Sequence, residues 1–107
     1  MNNFTIIIPI YNESDSIFNL VDEINKEFKK FNPEILIVND GSTDNFENEK
    51  KRIIKKVKIL DHPQNAGKCK AMLTGVKSAK FDLICVIDGD GQNPPYEIKK
   101  MLNYWED

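Results

Sequence analysis

The sequence is short of several things, and each shortage closes off a class of protein. Two cysteines in 107 residues, Cys69 and Cys85, cannot build a disulfide framework or a four-cysteine zinc site. No apolar run approaches the ~18 residues of a membrane span. The opening MNNFTIII has no basic n-region, so it does not read as a signal peptide, and a cytoplasmic setting is the expectation. Fifteen Lys and Arg against seventeen Asp and Glu leave a net charge of −2, without the basic surface of a nucleic-acid binder. No linker, repeat or low-complexity segment divides the chain. The single histidine, His62, has no cysteine or second histidine near it, so a histidine-based catalytic dyad has thin support.

What is present is 40% hydrophobic and 30% charged residues, the composition of one soluble globular domain spanning 1–107. Phe4 to Ile10 (FTIIIPI) is a near-continuous apolar run, as in a strand buried on both faces. Ile35 to Val38 (ILIV) and Leu83 to Ile87 (LICVI) repeat that pattern, and Val57 to Leu60 is a weaker version. Between them, Ile17, Leu20, Val21, Ile24, Phe28 and Phe31 recur at helical spacing, with Asn12 and Ser14 as candidate N-caps. Asn45 to Val57 reads as a charged surface helix whose basic run, Lys50 to Lys56, is a solvated face. Ala66 to Ala79 reads as a helix with Cys69, Met72, Leu73 and Val76 on its apolar side. Ile98, Met101, Leu102 and Trp105 suggest a fourth helix. The expected fold is α/β, a parallel sheet of about four βα units with helices on both faces.

In such folds ligands bind beyond the carboxyl ends of the strands. The segments there are PIYNES, NDGSTDN, HPQNAGK and DGDGQNPP, all polar. Asp88 and Asp90 leave the fourth strand at i and i+2, hard oxygen ligands suited to Mg²⁺ or Mn²⁺ beside a substrate phosphate. The alternative is an Asp/Gly-rich turn. An EF-hand fails, because the sixth and twelfth positions are Asn93 and Lys99. A haloacid-dehalogenase-like phosphatase with Asp88 as nucleophile stands as a runner-up, although Gln92 replaces the expected Thr or Val. Asp40, at the tip of the second strand, could accept from a base or ribose, while Ser42 to Asp44 read as turn and cap. Tyr11 could stack on a base. Asn12 has a strong capping alternative. Gly67 and Lys68 open a helix, where free N–H groups and a lysine favour an anion.

Taken in order, IIIPIYNE, ILIVNDGSTDN, NAGKCKAM and DLICVIDGDGQNPP resemble the family 2 glycosyltransferases of the GT-A fold. The last motif looks closest to the polyprenyl-phosphate branch typified by dolichol-phosphate mannosyltransferase. The resemblance runs from Ile6 to about Leu102. It implies that Pro9, Tyr11, Asn12 and Glu13 line a nucleoside pocket, that Asp40 contacts the base, and that Gly67, Lys68 and Asp88 border the nucleotide. It implies a metal, Mg²⁺ or Mn²⁺, on Asp88, Asp90 and Gln92. It further implies a UDP- or GDP-sugar donor, inversion at the sugar, and a lipid phosphate or glycan acceptor, as in cell-envelope glycan synthesis at the cytoplasmic face of a membrane. Members of this family run to twice this length or more, and the general base is expected downstream. No catalytic residue is identifiable in these 107 residues. A nucleotide-binding module without turnover is therefore the second hypothesis.

Overall fold

Strand β1 (Phe4–Ile10) is buried along its whole length, as its near-continuous apolar run requires; the one polar member, Thr5, donates to Glu34 Oε1 at 2.7 Å. In the structure, a computed structural model describing residues 3–53 and 57–89, it lies inside a four-stranded parallel sheet. The other strands are β2 (Glu34–Asp40), β3 (Lys58–His62) and β4 (Leu83–Val86), in the order β3-β2-β1-β4. Three helices connect them: α1 (Ser14–Glu27), α2 (Phe46–Ile53) and α3 (Lys68–Ser78). The expected helix over 98–105 and residues 54–56 lie outside the described residues.

Alternation along the strands sorts the core into two layers. Phe4, Ile6, Ile8 and Ile10 of β1, with Ile35 and Ile37 of β2, pack against Ile17, Leu20, Val21 and Ile24 of α1 and Phe46 and Ile53 of α2. Ile7, Leu36 and Val38 face the other way and meet Ala71 of α3. Helices therefore cover both faces, as expected. Helix α1 stops at Glu27, earlier than its apolar spacing suggests. Phe28 and Phe31 leave the helix in a turn and close edge-to-face on Phe4, with centroids 5.6 and 6.0 Å away.

Three expectations change. Helix α3 turns its small residues inward, burying Ala71 and Gly75, while Leu73 is 50% and Val76 45% exposed and Cys69 is exposed. The cause is distance: Gly75 lies against Ile7, whose side chain a Cβ at that position would strike. Larger side chains would hold the helix off the sheet. The basic run on α2 is also less free than a solvated face. Lys50 pairs with Asp61 at 2.9 Å, and the Arg52 guanidinium stacks 3.8 Å from the Phe18 ring centroid. Neither Asn12 nor Ser14 caps α1 with its side chain; Glu13 is the N-cap residue, and no side-chain cap bond is made there.

Candidate functional site

The strand order reverses direction at β1, which has β2 on one side and β4 on the other. A cleft of about 380 Å³ opens there, beyond the carboxyl ends of β1 and β2, within the size range of small-molecule pockets. Of the eight residues expected at a nucleotide, Pro9, Tyr11, Glu13, Asp40, Gly67, Lys68 and Asp88 line it. Ile10, Asn65 and Ala71 complete the wall. The eighth, Asn12, serves the neighbouring loop instead.

Asn12 adopts a left-handed backbone, φ 56°, which asparagine tolerates better than most residues. Its side-chain oxygen accepts from the backbone N–H of Thr43 at 2.8 Å and of Asp44 at 3.2 Å. Its own N–H donates to Ser42 Oγ at 3.0 Å. Asp44 in turn accepts from the N–H of Ser14 at 3.0 Å and of Phe46 at 3.2 Å. One aspartate thus satisfies orphan donors at the starts of both α1 and α2, the capping role expected of that loop. The net result is that the loops after β1 and β2 are tied together, and Tyr11 is presented 44% exposed at the cleft.

Asp40 is the hub of the opposite wall. Its side chain is only 5% exposed, and its carboxylate accepts three hydrogen bonds from the chain. Oδ1 takes His62 Nδ1–H at 2.7 Å and the Ala66 N–H at 2.9 Å; Oδ2 takes the Gly67 N–H at 2.9 Å. Burial by itself would push this carboxyl up. The hydrogen bonds from His62, Ala66 and Gly67, with the attraction of His62, outweigh it and hold Asp40 below its ordinary value. The far ring nitrogen of His62 lies 2.8 Å from Thr74 Oγ1 on α3. The loop from β3 to α3 is therefore clamped at both ends on one carboxylate. Gly41 makes this possible: with φ +73°, it leaves no room for a Cβ against the backbone of Gln64 and Asn65.

His62 had little support from sequence as a functional residue. It occupies the site because it stands opposite Asp40 in the β2–β3 register. The available signal is its position as the last residue of a strand and the first of the HPQNAGK segment that turns away from it.

Asp88 follows β4 and lines the cleft with its side chain 31% exposed. Lys68 Nζ sits 2.5 Å from its Oδ1. The next residue, Gly89, is buried, and its carbonyl accepts from Ser16 Oγ at 2.6 Å. A Cβ there would strike Ile10 and approach Glu13, so the aspartate turn is seated on the start of α1. Asp90 and Gln92 lie outside the described residues. Asp88 itself, a hard oxygen donor in the cleft that already holds a cationic partner, fits the chemistry of Mg²⁺ or Mn²⁺. Among the described residues no group of three or more His, Cys, Asp or Glu is placed to hold a metal, so Asp88 would need its unplaced neighbours.

Residues 5–107 match the family model described as Glycosyl transferase family 2. The chain belongs to that family. An undecaprenyl-phosphate 4-deoxy-4-formamido-L-arabinose transferase of Proteus mirabilis is 32% identical over 95% of this chain and 33% of its own length. TarS of S. aureus, crystallised with UDP, superposes with a TM-score of 0.80 at 24% identity, covering 98% of this chain and 32% of that one. PcManGT, a mannosyltransferase of Pyrobaculum calidifontis crystallised with GDP-Man and Mn²⁺, gives 0.81 at 22% identity over 97% of this chain and 32% of its own. The fold is thus the GT-A glycosyltransferase fold that the sequence motifs resemble, and this family replaces the phosphatase alternative. The chain spans about a third of the length of these proteins. No helix among the described residues is long and apolar enough to cross a membrane.

Proposed function

We propose that this chain is the donor-binding part of a glycosyltransferase that takes a sugar from a nucleoside diphosphate, with inversion, and passes it to a polyprenyl phosphate. The observation that carries this reading is the cleft itself, where a stacking ring (Tyr11), an ionised acceptor (Asp40), a helix start with a lysine (Gly67 and Lys68) and Asp88 converge. Tyr11 would stack on the base and Asp40 would accept from it. The N-terminal end of α3 and Lys68 would face the diphosphate. Asp88, Asp90 and Gln92 would hold a divalent metal, which supplies Lewis-acid stabilisation of the departing diphosphate. The relative from Proteus mirabilis, named as an undecaprenyl-phosphate transferase, supports the lipid-phosphate acceptor. Such an acceptor is already ionised and needs little help from a base.

Calorimetric titration of nucleoside diphosphates, with Mn²⁺ and with chelator, tests the reading. Metal-dependent binding that weakens at least tenfold in Asp90→Ala is expected. Absence of any metal-dependent nucleotide binding defeats it. Sugar transfer by the 107 residues alone would separate a complete enzyme from a binding module without turnover.

A further inference from the structure

The turn that carries the aspartates is held from α1. Gly89 is the single residue between Asp88 and Asp90, and a glycine has more backbone freedom to lose than any other residue. Here it is buried, so close to the end of β1 and the start of α1 that a Cβ would strike Ile10 and approach Glu13. Just before it, the Ile87 N–H donates to the Ile7 carbonyl at 2.9 Å and extends the pairing of β4 with β1. The Gly89 carbonyl accepts from Ser16 Oγ at 2.6 Å, although 73 positions separate the two residues. Ser16 Oγ also lies 3.3 Å from the Glu13 carbonyl, a common partner for a serine in the first turn of a helix. That carbonyl already accepts from the N–H groups of Ser16 and Ile17, at 3.1 and 3.0 Å, which takes up its two lone pairs. A hydroxyl has one hydrogen, and the shorter contact, to Gly89, receives it.

We infer that Ser16 is a positioning residue for the metal: its hydroxyl grips the Gly89 carbonyl and so fixes the backbone from which Asp88 and Asp90 reach a divalent cation. This rests on the donor-binding reading above, in which those aspartates hold Mg²⁺ or Mn²⁺. Hydrogen bonds behind the ligands of a metal site set its affinity, because they hold the ligands in place before the metal arrives. Two carboxylates joined by a loose glycine would have to be ordered by the metal itself. With Gly89 seated on β1 and bonded to α1, part of that ordering is done when the chain folds. Among the described residues Ser16 is not part of the cleft wall, so it acts through Gly89 and not by touching a ligand. Its contribution should therefore appear in metal uptake. A serine that served only α1 could become alanine at no cost, since alanine is the better helix former.

The test is calorimetric titration of UDP and of GDP over a series of Mn²⁺ concentrations, into the unaltered chain, Ser16→Ala and Ser16→Thr. The nucleotide that binds the unaltered chain more tightly decides. The quantity read is the Mn²⁺ concentration at which the metal has half of its effect on nucleotide binding. Ser16→Ala should raise that midpoint about threefold to tenfold, the effect of losing one hydrogen bond. Ser16→Thr keeps the hydroxyl and should return the midpoint to near its unaltered value. A general loss of structure would lower the nucleotide bound at every Mn²⁺ concentration and leave the midpoint where it was. An unmoved midpoint in Ser16→Ala overturns the inference. So does a Ser16→Thr midpoint displaced as far as that of Ser16→Ala, which would assign the effect to packing. Nucleotide binding by the unaltered chain that ignores Mn²⁺, or no binding at all, defeats the donor-binding reading, and this inference with it.

Discussion

At the residue scale the chain concentrates its polar bonding on a few side chains that each serve several backbone groups. Asp40 accepts from two backbone N–H groups and from His62, and its ionised form is the favoured one. A carboxyl held below its ordinary value contributes stability that is present above the unfolded value, near 3.9, and lost as pH falls through the folded one. Asp40→Asn should therefore be less stable than the unaltered chain at pH 7, by about 1–3 kcal/mol, because the amide brings N–H groups against donors. The gap should close as pH falls below about 4. Urea titrations at several pH values measure it, and a gap that does not change with pH would contradict the account. Gly41 is the second such position. Gly41→Ala combines positive φ with a collision against the backbone of Gln64 and Asn65, and should cost at least about 1–3 kcal/mol. Its melting curve should fall well below that of a substitution at Gly67. There φ is also positive, +100°, but a Cβ would meet nothing within 4 Å.

At the element scale the instructive case is α3. Its apolar spacing selects Cys69, Met72, Leu73 and Val76, yet close approach to the sheet selects Ala71 and Gly75. A pattern of hydrophobicity reports which side would gain most from burial; it does not report how near the backbone must come. Two substitutions separate the accounts. Leu73→Lys should shift stability by no more than about 0.5 kcal/mol, as for an ordinary surface position. Gly75→Ala, a better helix former, should instead destabilise by about 1–3 kcal/mol through the Ile7 contact. Chemical denaturation of both variants decides, and the reverse order would mean that the helix face has been misassigned. Helix α1 shows the complementary limit: its period was legible, but the turn that frees Phe28 and Phe31 to meet Phe4 depends on a third element.

For the whole molecule, the cleft joins segments far apart in the chain, from Pro9 to Asp88. The parallel sheet, the helices packed on it and the bonded loops around it hold them together. A ligand bound there should stabilise the entire domain, not one loop. On the donor-binding reading, UDP with Mn²⁺ at a hundred times its dissociation constant should add about 2.7 kcal/mol. That corresponds to a rise in melting temperature of roughly 10 °C or more for a domain of this size. Thermal scans with nucleotide and metal, and with each alone, measure it. A melting temperature that stays flat across the series would count against ligand binding in this cleft.

Much of this protein was determined by sequence alone, for a physical reason. Strands buried on both faces need unbroken apolar runs, helices need their own period, and polar loops at strand ends mark where a ligand can approach. The α/β class, the strand and helix sequence and most of the cleft residues follow from such local demands. The tertiary structure decided what depends on partners distant in the chain. The β2–β3 register set His62 against Asp40, the approach of α3 to β1 chose which helix face is buried, and Asn12 was turned to the β2 loop rather than to the cleft. Each is a choice among neighbours that only folding brings within reach, and no local pattern encodes it.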